Sequence, residues 1–244
     1  MLIHGKIPVD LPLLRYRMPD IAPQHPTLDR AYDAFLFDMD GTLINSIPAT
    51  LRIWTAWCQK MGLDAESVIP HIHGVRAIDT VKRFAPTCAD PEKEAAWLNA
   101  AEIADLDGVT ALPGVLRFLN SLPPTRWAIV TSASEALALA RLDAAGIAVP
   151  PVLVTAEQIQ HGKPAPDPYL HGARRLGFTA PNCLVWEDAP AGVRSGEAAG
   201  SNVVVITATH DHPVNTPHLA VPDYANLAIQ SEPGGMLRLR VVAG

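Results

Sequence analysis

The sequence predicts an α/β protein with a doubly wound parallel sheet core and an inserted α-helical cap domain. Short apolar runs alternate with helical patterns along most of the chain, as in a sheet covered by helices on both faces. One long interval, residues 47–112, has helical patterns without such a run, and polar residues follow four of the runs. The runs are Phe35–Phe37, Trp127–Val130, Val152–Val154, Leu184–Trp186 and Val203–Ile206.

These runs have the composition of buried strands. Each is brief, rich in β-branched or aromatic residues, and continuously apolar, as expected of strands covered on both faces. Capping residues open the helical patterns between them: Ser134 precedes one helix, Asp167-Pro168 opens another, and Pro190 begins a third. Apolar residues recur at helical spacing at Leu116, Leu119 and Leu122, and again at Leu137, Ala140 and Ala144.

The interval of residues 47–112 is predicted to be a separate helical cap. An apolar stripe predicts its first helix, Ile78 and Val81 mark a second, and Asp90 opens a third. The two tryptophans in this region are expected to belong to the cap core. The stripe is Ile47, Leu51, Trp54, Cys58 and Met61.

The chain is therefore divided into three parts. Residues 31–46 and 113–244 form the predicted α/β core, and residues 47–112 form the cap. Residues 1–30 contain five prolines and are expected to form an extended arm, unless the true start is Met18.

Composition limits the partners and the compartment. The formal net charge is -6 and no basic run is present, which argues against a nucleic-acid partner or an anionic membrane surface. No apolar run reaches membrane-spanning length. The 3 cysteines lie far apart, which suits a reducing compartment more than a disulfide framework. We therefore expect a cytoplasmic protein without nucleic-acid or membrane partners.

Two carboxylates follow the first run, in the string Asp38-Met39-Asp40-Gly41-Thr42. Ligands of open α/β sheets bind at the C-terminal ends of the strands, where both carboxylates can reach one crevice. Two such charges are costly unless a cation offsets them, and Mg²⁺ prefers oxygen ligands. An Asp-rich turn is the alternative, but the five-residue string after an apolar strand is more specific than Asp-x-Asp alone.

Three later segments bring polar groups to the same predicted edge. Thr131 and Ser132 follow the second run, where hydroxyls and free amides can hold a phosphate or cap the next helix. Lys163 precedes a proline that keeps it out of a helix, so it could offset local negative charge, although a lone lysine is usually a surface residue. Glu187 and Asp188 could complete a metal site, or Asp188 could cap the helix at Pro190.

Taken together, these segments resemble the signature motifs of the haloacid dehalogenase superfamily. The similarity spans residues 33–210, and the helical interval resembles the C1-type cap of subfamily IA. The stretches HGVRAIDTVKRFAP, HGKPAPDPYLHGARRLG and EDAPAGVRSGEAAG resemble the sugar and polyol phosphatases of this superfamily. Among these are bacterial sugar phosphatases and yeast glycerol-phosphate and 2-deoxyglucose-6-phosphate phosphatases. The resemblance implies a Rossmann-like core and phosphatase activity.

The resemblance also implies roles for catalytic residues. Asp38 would be the nucleophile that attacks phosphorus, and Asp40 would protonate the leaving alkoxide and then activate water. Thr131 and the backbone amide of Ser132 would hold the phosphoryl oxygens. Lys163 would neutralise the nucleophile and the phosphate.

A Mg²⁺ cofactor follows from the same resemblance. Asp188 would ligate the ion directly, together with Asp38 and the backbone carbonyl of Asp40, and Glu187 would support a metal-bound water. The predicted reaction is hydrolysis of a small phosphorylated metabolite, a sugar or polyol phosphate, through a phosphoaspartyl intermediate.

Substrate selection is expected to lie in the cap. Arg76 could hydrogen-bond sugar hydroxyls or a second anionic group, or it could form a surface ion pair with Asp79. Relatives often have Asp at the position of Asn45, which is expected at the hinge. The predicted substrate contacts are Asn45, His73, Gly74, Arg76 and Asp79.

Two other functions remain open at this stage. A phosphoglucomutase-like sugar phosphomutase shares all four motifs, and a non-catalytic binding protein could keep the same fold. Asp40 argues for phosphate-ester chemistry, because the dehalogenases and phosphonate hydrolases of the superfamily carry another residue there. Cap closure can shield a site without a partner subunit, which predicts a monomer or weak dimer.

Overall fold

The structure is a computed structural model that describes residues 25–242. The strands in this range form three sheets. They are β1 (Ala31–Tyr32), β2 (Ala34–Phe37), β3 (Ile44–Asn45), β4 (Thr110–Ala111), β5 (Trp127–Val130), β6 (Leu153–Val154), β7 (Cys183–Glu187), β8 (Asn202–Ile206), β9 (Leu219–Val221), β10 (Leu227–Ser231) and β11 (Leu237–Val241).

The main sheet has six strands in the order β6-β5-β2-β7-β8-β9, and all of its neighbouring strands are parallel. This confirms the predicted fold class. The sequence prediction missed the edge strand β9, whose three residues are too short a signal to stand out. Because β2 lies between β5 and β7, the chain winds outward from it in both directions and leaves a crevice at its C-terminal end.

Nine α-helices connect the strands within residues 25–242, and none of them is long and apolar enough to cross a membrane. They are α1 (Pro26–Asp29), α2 (Ile47–Met61), α3 (Ala65–Val68), α4 (Ala77–Phe84), α5 (Pro91–Ala104), α6 (Val115–Asn120), α7 (Glu135–Ala144), α8 (Asp167–Arg175) and α9 (Pro190–Ala198). The arm expected of residues 1–30 lies mostly outside the described residues. Its last part differs from that expectation, because α1 buries Leu28 against the core.

The helix starts predicted at Asp90, Ser134 and Pro190 are confirmed, but Asp167 is the first residue of α8 and not its cap. The Ser134 hydroxyl accepts a hydrogen bond from the backbone amide of Leu137, so it caps α7 as predicted. The buried face of α7 differs from the predicted one: Ala144 is exposed, whereas Ala138 and Arg141 are buried. Packing against the sheet and the neighbouring helices selects this face, and a charged residue belongs to it.

Apolar side chains cover both faces of the sheet. In β2, Phe35 and Phe37 point to one face, where both rings lie against Trp186, with centroids 5.6 and 5.4 Å away. Leu36 points to the other face and packs in a second apolar cluster with Val185. Removing these large side chains from water is the main force that fixes β2 in the sheet, and it holds the residues that follow β2 at the sheet edge.

The helical insert, residues 47–104, comprises α2 to α5 and has an apolar cluster of its own. Trp54 and Trp57 belong to that cluster and pack edge to face at 5.5 Å between ring centroids. At its two ends β3 pairs antiparallel with β4, with Ile44 opposite Ala111. These features support the predicted cap of residues 47–112, whose limits as a domain remain a prediction.

Candidate active site

Asp38 lies directly after β2, at the C-terminal edge of the sheet. Its backbone amide donates a hydrogen bond to the carbonyl of Trp186 at 2.9 Å, which continues the pairing of β2 with β7. The residue is only 3% exposed. The strand pairing therefore determines the position of this carboxylate.

Lys163 joins the ends of three strands. Its Nζ donates to Asp38 Oδ1 at 2.6 Å, to Glu187 Oε1 at 2.6 Å and to the Val130 carbonyl at 3.1 Å. Burial lowers the pKa of the Lys163 ammonium, but Asp38 and Glu187 outweigh this effect and raise it. The lysine is therefore a charged, immobile group inside the site, and the surface position considered for it is excluded.

Glu187 is fully buried and already has protein donors at both oxygens. Oε1 accepts from Lys163 and from the Tyr169 hydroxyl, both at 2.6 Å. Oε2 accepts from the backbone amides of Asp188 and Ala189 at 3.1 and 3.3 Å. These contacts suit a residue that fixes Lys163, so a role in supporting a metal-bound water remains a prediction.

Three buried carboxylates form the one acidic cluster suited to a metal ion in residues 25–242: Asp38, Glu187 and Asp188 each place an oxygen within 4.8 Å of the others. Burial, followed by the charge of Glu187, raises the pKa of Asp38 to about 7. Burial, followed by the charge of Asp38, raises the pKa of Asp188 well above its usual range. Lys163 supplies a single positive charge against these carboxylates. A set of hard oxygen donors with excess negative charge fits a divalent ion such as Mg²⁺.

Gly41 allows the first motif to approach Asp188. Its φ is +84°, and a Cβ atom there would lie 2.0 Å from Asp188 Oδ2. On its other side Asp188 accepts a hydrogen bond from the Thr42 hydroxyl at 3.2 Å. Asp188 does not cap α9, whose preceding residue is Ala189 and which has no side-chain cap.

Thr131 and Ser132 follow β5 beside this cluster. Thr131 is buried, and its Oγ1 accepts a hydrogen bond from the backbone amide of Ala133 at 3.1 Å. The Ser132 hydroxyl donates to the Gly74 carbonyl of the insert at 2.9 Å. A Cβ atom on Gly74 would lie 2.8 Å from the Cβ of Ala189, so this glycine lets the insert approach the core closely.

Asp40 lies on the side of the site that faces the insert. Its Oδ1 accepts hydrogen bonds from the Ser46 hydroxyl at 2.6 Å and from Arg141 Nη1 at 2.9 Å. The same guanidinium donates through Nη2 to Thr50 Oγ1 at 2.9 Å and to Glu102 Oε1 at 3.1 Å. Burial lowers the pKa of Arg141, but the charges of Asp40 and Glu102 outweigh this effect and raise it.

A cavity of about 200 Å³ lies between the insert and the core and reaches Asp40. Two predicted substrate contacts, His73 and Arg76, line it. Burial, together with nearby His210, lowers the pKa of His73, so its imidazole is neutral near pH 7. Asn45 does not line this cavity; its side chain accepts a hydrogen bond from the backbone amide of Ile47 and so orients the start of α2.

The guanidinium nitrogens of Arg76 are hydrogen-bonded to partners within the protein. Its Nε and Nη2 donate to Asp79 at 2.6 and 3.1 Å. Its Nη1 donates to the backbone carbonyls of Ile159 and Gln160 at 2.9 and 3.3 Å. The ion pair with Asp79, considered as an alternative for this arginine, is therefore formed within the insert. The Nη1 hydrogen bonds connect the same arginine to the core loop before Lys163.

Sequence reasoning missed several polar residues around the cavity. The only signal for Arg141 is its position four residues after Leu137, on a helix face that must be buried. Tyr169 lies in a stretch that resembles related phosphatases, but its bond to Glu187 depends on how α8 packs. The missed residues near the site are Ser46, Thr50, Asn99, Glu102, Arg141 and Tyr169.

Comparison with known proteins identifies the family. A model described as haloacid dehalogenase-like hydrolase matches residues 32–200. The chain belongs to the haloacid dehalogenase-like hydrolases. Hexitol phosphatase A of Escherichia coli is 43% identical over 206 residues, which cover 82% of this chain and 95% of the relative. Glycerol-1-phosphate phosphohydrolase 1 of Saccharomyces cerevisiae is 38% identical, over 73% of this chain and 76% of the relative.

Solved structures of this hydrolase family share the fold. CbbY from Rhodobacter sphaeroides in complex with phosphate gives a TM-score of 0.68 at 20% identity, over 80% of this chain and 95% of that one. β-Phosphoglucomutase from Clostridium difficile gives 0.67 at 19% identity, over 80% and 92% of the two chains. The phosphatase relatives and the family match confirm the predicted superfamily and the predicted enzyme class, a phosphoric monoester hydrolase.

Proposed function

We propose that this hydrolase is a Mg²⁺-dependent phosphatase that hydrolyses a small sugar or polyol phosphate through a phosphoaspartyl intermediate. The observation that carries the proposal is the group of Asp38, Lys163 and Asp188 at the sheet edge, next to a cavity that reaches Asp40. Phosphoryl transfer depends mainly on positioning and charge neutralisation, and this group supplies both.

In the first step an Asp38 carboxylate oxygen attacks phosphorus while the bond to the leaving oxygen breaks. Lys163 Nζ, 2.6 Å from Asp38 Oδ1, orients the nucleophile and offsets the negative charge that gathers there. Thr131 and the Ser132 amide hold phosphoryl oxygens. Asp40 donates a proton to the leaving alkoxide, which produces the free alcohol and a phosphorylated Asp38.

In the second step water attacks the same phosphorus and Asp40 accepts its proton, which releases phosphate and restores Asp38. Asp38 and Asp188 are the candidate side-chain ligands of Mg²⁺, with the backbone carbonyl of Asp40 as a third oxygen. The bound ion would supply positive charge to the phosphoryl oxygens and thereby lower the barrier of both steps.

The polar lining of the cavity supports a hydroxylated substrate. Thr50, Asn99 and Glu102 line the side formed by the insert, and Ser132 and Ser134 line the side formed by the core. Several of these groups already form hydrogen bonds within the protein, and their remaining donors and acceptors can bind hydroxyls of one small molecule. The hexitol and glycerol phosphates in the names of the relatives have this chemistry.

The pairing of Arg76 favours hydrolysis over the mutase alternative. A mutase that uses one phosphoaspartate passes through a sugar carrying two phosphates, so it must also bind the second phosphate. Arg76 is the cation of the insert that lines the cavity, and Asp79 already neutralises it at 2.6 Å. A second phosphate would have to compete with Asp79 for Arg76. A sugar with a single phosphate does not, because its remaining groups are uncharged.

The test is phosphate release from a panel of sugar, polyol and glycerol phosphates, with Mg²⁺ or with EDTA. We expect selective release that requires Mg²⁺ and falls by about 10⁴-fold or more in Asp38→Asn, because the covalent step is lost. Isomerised sugar phosphate without phosphate release would support the mutase. Hydrolysis that survives both EDTA and Asp38→Asn would contradict the proposal.

A further inference from the structure

Arg141 is a buried cation that the mechanism above does not use. It lies on α7 in the core, is only 3% exposed, and contacts one carboxylate from the core and another from the insert. A buried guanidinium is costly unless its charge and its donors are satisfied, and Nε of Arg141 has no hydrogen-bond partner among the described residues, so packing alone does not explain this residue. Its position beside Asp40 indicates a function.

The hydrogen bonds leave one oxygen of Asp40 available. Within residues 25–242 both side-chain donors to Asp40, Ser46 and Arg141, bind Oδ1. Two donors on one oxygen fix both the rotation of the carboxyl group and its distance from the cavity. Oδ2 is then the oxygen that can exchange a proton with the substrate or with water.

The other end of the guanidinium is held by the insert. Thr50 of α2 and Glu102 of α5 both accept from Nη2. Glu102 is 6% exposed, so its ion pair with Arg141 is shielded from solvent and weakly screened by salt. The position of Arg141, and through it the position of Asp40, therefore depends on contact between the insert and the core.

We propose that Arg141 is a positioning residue that holds Asp40 in the orientation for proton transfer while the insert is docked on the core. The inference rests on the proposed phosphatase function, because proton transfer by Asp40 is part of that mechanism. It differs from a general stabilising role in one measurable way. Loss of Arg141 should slow steps that need a proton from Asp40 more than steps that do not.

Two substrates separate these steps. A sugar or polyol phosphate releases an alkoxide that needs the proton, whereas p-nitrophenyl phosphate releases a stable phenolate that does not. In Arg141→Ala we expect the single-turnover rate with the best sugar or polyol phosphate to fall by about 10²-fold. The nitrophenolate burst should fall only a few-fold. Arg141→Lys, which keeps the charge, should recover part of the loss, and Glu102→Gln should show a smaller version of the same selectivity.

The controls separate failure of this inference from failure of the proposed function. Asp40→Asn should show the same selectivity as Arg141→Ala, and replacement of the exposed Arg194 by Ala should change neither rate. Circular dichroism and thermal melting identify the variants that fold. If Asp40→Asn is selective but the folded Arg141 variants lose both rates equally, or neither, the inference is wrong and the phosphatase stands. If the wild type releases no phosphate from any substrate, the proposed function fails first.

Discussion

The two sides of the cavity are built in different ways. On the core side, Asp38 follows β2 and Glu187 ends β7, so strand pairing sets the positions of these two carboxylates. On the insert side, Arg76 precedes α4 and Glu102 lies on α5, and both meet partners that are distant in sequence. The first side carries the groups proposed for phosphoryl transfer, whereas the second combines polar groups that lie outside the sheet.

Short motifs at strand ends encode the reactive groups, whereas side chains spread over several helices encode the contacts of the insert. A strand end offers one narrow location, so a short contiguous motif suffices to place reactive groups there. A helical insert contributes through side chains spaced along several helices, so its contacts depend on how the whole insert docks. Changes on the core side should therefore damage catalysis most, and changes on the insert side should alter selectivity.

Among the substitutions that compare the two sides of the cavity, the largest effect is expected from Lys163→Met. It removes the cation between Asp38 and Glu187, both buried, and leaves their charges unpaired. We expect kcat to fall by about 10³-fold and the free energy of unfolding to fall by about 3–5 kcal/mol. Steady-state kinetics and urea denaturation measure the two effects. Lys93→Met, at an exposed lysine of the insert, is the control and should leave both quantities nearly unchanged.

A pair of glycine substitutions compares the core with the insert directly. Gly41→Ala places a Cβ atom 2.0 Å from Asp188 Oδ2, whereas Gly62→Ala, at the end of α2, meets nothing within 4 Å. Both have positive φ, so both should cost about 1–2 kcal/mol of stability from backbone strain. We expect kcat to fall by about 10²-fold for Gly41→Ala alone, because the motif must shift.

Equal kinetic effects of the two glycine variants would contradict this account of the first motif. Thermal melting of both proteins provides the reference, since it reports the strain that they share. A loss of kcat in Gly41→Ala but not in Gly62→Ala would show that the strand end requires one geometry, whereas the helix end tolerates change.

The smallest effect is expected on the insert side, from Asp79→Ala. The change releases two donors of Arg76 at the cavity wall. We expect the ratio of kcat/KM for a sugar bisphosphate to that for the monophosphate to rise about tenfold, because a charge-assisted hydrogen bond becomes available. The double variant Asp79→Ala with Arg76→Ala should lose this gain. An unchanged ratio in the single variant would mean that Arg76 does not control tolerance of a second anion.

The motifs after the strands could be predicted because each is contiguous and follows an apolar run. The order of the strands then brings Asp38 within 2.6 Å of Lys163 and within 4.8 Å of Asp188, at the sheet edge that the sequence indicated. Arg141 could not be predicted in the same way. Its partners Asp40 and Glu102 lie 101 and 39 residues away in sequence, and no local pattern links them.

The parallel sheet, the helical insert and the chemical groups at the sheet edge could be inferred from the sequence, because strand and turn signals are local. Only the structure shows which of these polar side chains are already bound to partners within the protein. Arg76 is neutralised by Asp79, Oε1 of Glu187 already accepts from Lys163 and Tyr169, and Arg141 is held between core and insert. Hydrogen-bond partners and burial depend on packing between distant segments, and these decide which polar side chains remain free to meet a substrate.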